Sequence, residues 1–304
     1  SKVTKEDVIG AVDPSTGAET GAQVIRQVYP RLGIVPGLIL APGWSQVPEV
    51  GLALAAKAAK INGVYSAMAL LDLDTAKAKK YTDTKSAKEE SGYTSPFCYP
   101  LWPCDRVGEY ILAKSAVAGA MIQYMASDNE DVPNQSPSNH LLGVGGQCLE
   151  DGTEVYLDQD QANTVNGYGV TTAINQNGYR LWGNYTGAYP ASSDAKDIWF
   201  AVRRMFSWQG NNFIQTYFDE VDDPMNNVLV QSVVDSENIR CSAYAPKYWA
   251  GASIEYKSDD NPKTAILAGT MKFRQHIAPY TPAQEIVDII DYDTDTLAAA
   301  VGGN

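Results

Sequence analysis

The chain has 304 residues, 36 acidic against 23 basic side chains for a net charge of -13, and 44% hydrophobic with 19% charged residues. That composition excludes wholesale disorder and a fibrous repeat, and the length suits about two domains. An acidic surface repels phosphate, which disfavours direct nucleic-acid binding, and no apolar run approaches the roughly 20 residues that cross a bilayer, so no membrane insertion is expected.

The chain begins at Ser1 with a polar stretch to Asp7. No signal peptide is read from it, and the missing initiator Met points to processing or to sequence upstream. Asp13-Pro14-Ser15-Thr16-Gly17 is a turn cluster, and residues 19–29 read as a helix with Val24, Ile25 and Val28 on one face. The first clear unit is 37–74. Leu38-Ile39-Leu40 is a short strand, Ala41 to Ser45 a turn, and Pro48 suits a first helical turn. Val50, Leu54, Ala58 and Ile61 follow at helical spacing, Asn62-Gly63 ends the helix, and Val64 to Leu71 is a second strand. Strand, helix, strand at that length predicts a right-handed crossover between parallel strands.

Residues 75–95 read as a polar helix or surface excursion, Phe97 to Trp102 as a third strand, and Asp105 to Met125 as the best helix of the chain. Asp128–Asn139 is a loop, and Leu141 to Leu149 a fourth strand interrupted by Gly145-Gly146. Tyr179 to Gly183 is a short strand. Asp194 caps a helix carrying Ile198, Val202, Met205 and Phe206, with a break at Gly210. Asp223-Pro224 opens another helix with Val228, Leu229, Val233 and Ile239. Thr264 to about Ile277 and Glu285 to about Tyr292 read as two closing strands. The fold class expected is α/β plus α+β: a largely parallel α/β domain over 1–175, then a C-terminal α+β domain over 176–304 ending in a β-hairpin or arm.

Catalytic chemistry finds little support in the motifs. Pro42-Gly43-Trp44-Ser45 sits at the carboxyl end of a strand, where α/β sheets bind ligands, but it lacks phosphate-loop spacing. Gly143-Val144-Gly145-Gly146 has no helix after it to hold an anion. A Ser45, His140, Asp72 hydrolase would need a nucleophile elbow that is not present. His276 reads as a half-exposed strand residue. The four cysteines (Cys98, Cys104, Cys148, Cys241) fit neither a redox CxxC nor a zinc site and read as buried, reduced thiols. No catalytic, cofactor or metal site is therefore assigned. Arg203-Arg204 lies inside the helix of the second domain, one arginine expected to face solvent and the other to pair across an interface. Ile286, Val287, Ile289 and Ile290 are strongly β-forming and close to the C-terminus. They read either as an ordinary last strand with a frayed tail or as an arm that adds a strand to a neighbouring subunit.

Several stretches, taken in order, resemble the tail sheath proteins of contractile phage tails and R-type bacteriocins. They are Leu38 to Ser45, Leu70-Leu71-Asp72, Ser136-Pro137-Ser138-Asn139 before Gly143-Val144, Asp160 to Asn163 with Asn166 to Val170, and Arg180-Leu181-Trp182-Gly183-Asn184-Tyr185-Thr186. Trp199 to Arg204 resembles the family's Asn-Val-Arg-Arg helix, with Ala201 in place of the asparagine, and Ile277-Ala278-Pro279 with Pro282 to Ile286 resembles its terminal hairpin. The likeness runs from about 35 to 295. It implies a non-enzymatic virion structural protein without cofactors, self-associating as a helical homo-oligomer around a tail tube protein and meeting baseplate and tail terminator proteins. It implies assembly in the bacterial host cytoplasm, a place in the virion tail, and contraction that drives the tube through the host envelope. Arg203, Arg204, Ile286, Val287, Ile289 and Ile290 are then the subunit-interface candidates. The other readings are a flavodoxin-like α/β enzyme and a sheath component of a bacterial secretion or injection apparatus.

Overall fold

The computed structural model describes residues 2–302. The chain enters through α1 (Lys5–Ile9), which opens with a reciprocal cap: Thr4 accepts from the Asp7 N–H while the Asp7 carboxylate accepts from the Thr4 N–H at 2.8 Å. A 3-10 segment (Gly21–Gln27) and α2 (Val28–Leu32) follow, where the 19–29 helix is expected.

The predicted strand–helix–strand unit with parallel strands forms. β1 (Leu38–Leu40), α3 (Pro48–Ala59) and β2 (Met68–Asp72) make a βαβ unit, with Leu38 paired in parallel to Met68. Pro48 occupies the first turn of α3, where its missing N–H costs nothing. Val50, Leu54, Ala55 and Ala58 turn inward. A Cβ added at Gly51 would stand 2.0 Å from the Tyr93 hydroxyl, so this turn of α3 lies directly on the buried Tyr93 ring. The 75–95 excursion carries α4 (Thr84–Ser91). β3 (Cys98–Leu101) pairs in parallel with β2. Every residue of β2 and β3 is buried, because α3 covers one face of the sheet and α5 (Lys114–Ser127) the other.

From here the chain departs from a largely parallel layer. The first residues of the expected 105–125 helix form a hairpin, β4 (Cys104–Val107) and β5 (Tyr110–Leu112), and α5 begins only at Lys114. Gly108 has φ +58°, the sign a tight hairpin asks of its first central residue. Val107 and Ile111, spaced as on a helix face, lie on facing strands instead. β6 (Gly146–Cys148), the expected fourth strand, is short and antiparallel to β4. α6 (Gln159–Gly167) precedes a second hairpin, β7 (Thr172–Asn175) with β8 (Tyr179–Trp182). A parallel bridge from Leu101 to Thr171 brings that hairpin beside β3. Position 175/176 falls in its turn, and Leu181 and Phe200 pack with Met68 and Leu70.

Asp194 caps α7 (Ala195–Ile198), accepting from the Lys196 N–H at 2.9 Å. α8 (Phe200–Thr216) runs straight through Gly210, where a break is expected. The glycine costs about 1 kcal/mol of helix propensity, which the buried face of Phe200, Ala201, Val202 and Met205 outweighs. α9 (Asn227–Ala243) starts under an Asn226 cap, three residues later than the Asp223-Pro224 start. Its inward stripe is Leu229, Val233, Glu237 and Cys241, while Val228 and Ile239 face solvent. β9 (Trp249–Glu255) is a strand the sequence reading did not find. The expected 264–277 strand divides into α10 (Lys263–Leu267) and β10 (Arg274–Pro279), and β10 pairs antiparallel with β9. Among the described residues no terminal hairpin forms. Residues 280–292 are irregular, and α11 (Thr294–Ala300) follows. The fold class is thus mixed α+β: among the described residues, one three-stranded parallel sheet, with the other sheets antiparallel.

Candidate assembly surface

The carboxyl end of the parallel sheet is where an α/β enzyme would keep its site. It holds Ser45, Asp72 and Ser115, all buried. The Ser45 hydroxyl donates to the Asp72 carboxylate at 2.9 Å and accepts from the Asp72 N–H at 3.0 Å. Ser115 donates its N–H at 2.8 Å and its hydroxyl at 2.5 Å to the same carboxylate. Asp72 therefore spends its oxygens tying β2 to the first turn of α5 and the 41–47 turn. Burial pushes its carboxyl above the usual range, against these hydrogen bonds, which favour the ionised form. Lys114 and Asp105, both fully buried, pair beside it. His140 does not join this cluster: it is exposed, and its carbonyl accepts from the Leu181 N–H. Ser45 and Asp72 are thus brought together in a structural knot, without the histidine. Among the described residues no group of three or more His, Cys, Asp or Glu side chains is arranged to hold a metal ion.

The β9–β10 pair presents a different kind of site. The Asn238 amide accepts from the Ile254 N–H and donates to the Ile254 carbonyl, both at 3.0 Å, so a side chain of α9 seals the outer edge of β9. A residue's N–H and C=O point to one side of a strand, so Ile254 faces away from β10 and its neighbours Ser253 and Glu255 carry the ladder to His276 and Arg274. On β10 the main-chain groups of Gln275 and Ile277 then face outward with no partner strand among the described residues, an open edge. Behind it lies a buried polar cluster. Glu237 accepts from Gln209 at 2.6 Å, from Gln275 at 2.7 Å and from Arg240 at 2.5 and 2.9 Å. Burial raises the Glu237 carboxyl, but Arg240 and the two amides outweigh it and leave the carboxyl below its ordinary range. This cluster joins α8, α9 and β10 and fixes the orientation of the open edge. His276 lies on the exposed face of β10, 3.0 Å from Glu255.

Beyond β10 the chain is held at two points. The Tyr280 hydroxyl donates to the Pro246 carbonyl at 2.9 Å, and the Tyr185 hydroxyl donates to the Gln284 side-chain oxygen at 2.7 Å. After Gln284 the apolar side chains are uncovered: Ile286 is 90% exposed, Val287 70%, Ile289 80% and Ile290 87%. They form no strand within this chain. α11 follows under an Asp293 cap and buries none of its residues.

The two arginines have different surroundings. Arg203 pairs with Asp197 at 3.2 Å and lies 4.8 Å over the Phe97 ring, so it is spent within the chain. Arg204 makes no ion pair among the described residues. Its guanidinium lies 5.6 Å from the Phe200 ring, at a groove of about 740 Å³ beside β1 that Trp208 and Asn211 also line. Burial takes it down to about 10. Sequence spacing could not tell the two apart. The side chains it missed, Asn238 and Glu237, carry no motif.

The described chain thus carries an open strand edge on β10 and, after Gln284, an uncovered run of strand-forming side chains. No protein-family model matches the chain. It is 26% identical to the tail sheath protein of Burkholderia phage BcepMu, over all of this chain and 65% of that protein. It is 24% identical to the tail sheath protein of Escherichia phage P2, over 93% of this chain and 69% of that one. Over 65% of this chain and 48% of the relative it is 31% identical to a putative prophage major tail sheath protein of Pseudomonas aeruginosa. The chain therefore spans about half to two thirds of the length of these relatives. In fold it matches the PVC sheath of an extracellular contractile injection system in its contracted state, with a TM-score of 0.71 and 17% identity over 91% of this chain and 76% of that one. It also matches the contracted helical sheath of the anti-feeding prophage, with a TM-score of 0.68 and 18% identity over 94% and 76%. The chain is a relative of phage tail sheath proteins and has the fold of contractile sheaths.

Proposed function

We propose that the protein is the structural subunit of a contractile tail sheath, polymerising as a helical homo-oligomer around a tail tube and contracting to drive the tube through the host envelope. The observation that carries this reading is the uncovered run Ile286 to Ile290, tethered at Gln284, in a chain that also carries an open β10 edge. In the assembly the run of one copy adds a strand to the sheet of a neighbour. Aliphatic side chains left in water in one chain are then buried between chains. The energy of contraction is a difference between two sets of subunit contacts, without nucleotide hydrolysis, and a bistable interface converts a local trigger into large movement.

In this reading residues 176–304 supply the lattice contacts and residues 1–175 the outer body. Arg204 meets a carboxylate of another copy, while Arg203 serves its own chain. Baseplate and tail terminator proteins bound the polymer, the subunits assemble in the bacterial cytoplasm, and the product is part of the virion tail. Relatives named as phage tail sheaths favour a phage or prophage origin over a secretion apparatus. The test is truncation after Gln284. The shortened chain is expected to keep its thermal midpoint and to lose all polymer in sedimentation, and sheath-like tubes from the truncated chain would overturn the arm.

A further inference from the structure

Two thiols that neither the Asp72 knot nor the assembly surface uses face each other across a strand pair. Cys104 of β4 stands directly opposite Cys148 of β6, and both are free. Opposed residues of an antiparallel pair project from the same face of the sheet. The Val155 N–H bonds the Gln147 carbonyl at 2.9 Å, so Gln147 turns its main chain away from β4 and Cys148 turns its own toward it. The pair therefore occupies a hydrogen-bonded rung, where Cα atoms are typically ~5.5 Å apart. That separation lies inside the roughly 4.4–6.8 Å Cα range of disulfides, and the Cβ atoms, wider apart on such a rung, close by about 1 Å when the bond forms. Cys104 lines a cavity of about 290 Å³ at the carboxyl end of the parallel sheet, and Cys148 is buried. Access and opposition thus distinguish an attacking thiol from a resolving one. Cys98 and Cys241 have no cysteine opposite them.

We propose that Cys104 and Cys148 are an oxidation site, forming an intrachain disulfide when the protein meets a small-molecule disulfide such as oxidised glutathione. The Cys104 thiol gives its proton to solvent, and its thiolate attacks one glutathione sulfur. The glutathione S–S bond breaks, a mixed disulfide forms, and one glutathione thiolate leaves. The Cys148 thiolate then attacks the Cys104 sulfur and expels the second glutathione. Two protein thiols are oxidised, and one glutathione disulfide is reduced to two thiols. Burial, together with the neighbouring Asp72, holds the Cys104 thiol up at about 12, so the exchange is slow and quickens as pH rises. The product joins β6 to β4 and closes a loop containing α5, which restricts the unfolded chain. A reducing cytoplasm keeps the pair open, and an oxidising medium closes it. The site stands on strand register and does not depend on the sheath reading.

The test incubates the intact protein with oxidised glutathione at mildly alkaline pH, followed by thiol titration in denaturant and peptide mapping without reductant. The titre is expected to fall from four thiols to two. The Cys104 and Cys148 peptides should be joined, and the thermal midpoint should rise by several degrees and fall back on reduction. Cys148→Ser should stop at a glutathione adduct on Cys104. Four titratable thiols after prolonged incubation would overturn the proposal, as would a link through Cys98 or Cys241, or one between two chains.

Discussion

Glu237→Gln removes the charge at the centre of the cluster behind the β10 edge while keeping its shape. The Glu237 side chain is fully buried, and its pair with Arg240 is shielded on that side from solvent. Gln209 and Gln275 both donate to the same oxygen. A glutamine at 237 cannot accept at both side-chain atoms, so one donor meets another donor and the guanidinium loses its counter-charge. Breaking a buried pair by removing one partner costs about 3–5 kcal/mol. At about 2 °C per kcal/mol for a chain of this size, the thermal midpoint should fall by roughly 6–10 °C. Urea unfolding of the wild type, E237Q, R240M and the double variant measures the coupling. The double variant should cost less than the sum of the singles. The folded-state carboxyl is held below its ordinary value of 4.5. Its contribution is therefore complete above that value and is lost as pH falls through the lower, folded one. The gap between wild type and E237Q should accordingly narrow in acid. A loss below about 1 kcal/mol, the worth of one ordinary hydrogen bond, or strict additivity in the cycle, would refute the reasoning.

Other substitutions test the remaining structure. Gly51→Ala places a methyl against the Tyr93 hydroxyl and should cost about 1–3 kcal/mol by overpacking; an unchanged urea midpoint would contradict that contact. Lys88 donates to the Tyr168 and Tyr189 carbonyls, and burial takes its amine down to about 8. Between pH 8 and its ordinary value of 10.5 the unfolded chain binds the extra proton, so this group should add roughly 2 kcal/mol of stability from pH 8 to pH 10. Lys88→Met should abolish that rise, read by urea unfolding at the two pH values. Arg204→Met should leave the monomer as stable or more so, since no ion pair is lost, while reducing polymer in sedimentation. Gln284→Ala should extend protease cutting from the 286–290 run back toward Tyr280 without moving the thermal midpoint.

The β1–α3–β2 crossover was legible because local and tertiary preferences agree there: Pro48 suits a first turn, and the inward stripe repeats at helical spacing. Asp194 was legible as a cap for the same reason. The 104–112 hairpin was not. Val107 and Ile111 have the spacing of a helix, and the turn at Gly108 decides against it. Gly210 misled in the opposite direction, because burial of α8 outweighs one glycine. β9 has little strand patterning of its own and is stabilised by β10 and by the Asn238 amide, partners distant in sequence. For the assembly surface, the run 286–290 could be read from β-forming residues alone. Which edge is open, which arginine is unpaired and which cysteines face each other depend on register, and spacing along the chain does not encode register.

Negative-stain electron microscopy of the protein expressed alone from its full reading frame tests the central claim most directly. Long striated tubes built from this subunit are the predicted result. A monodisperse monomer at every concentration and salt condition, with the 286–290 run intact, would contradict it.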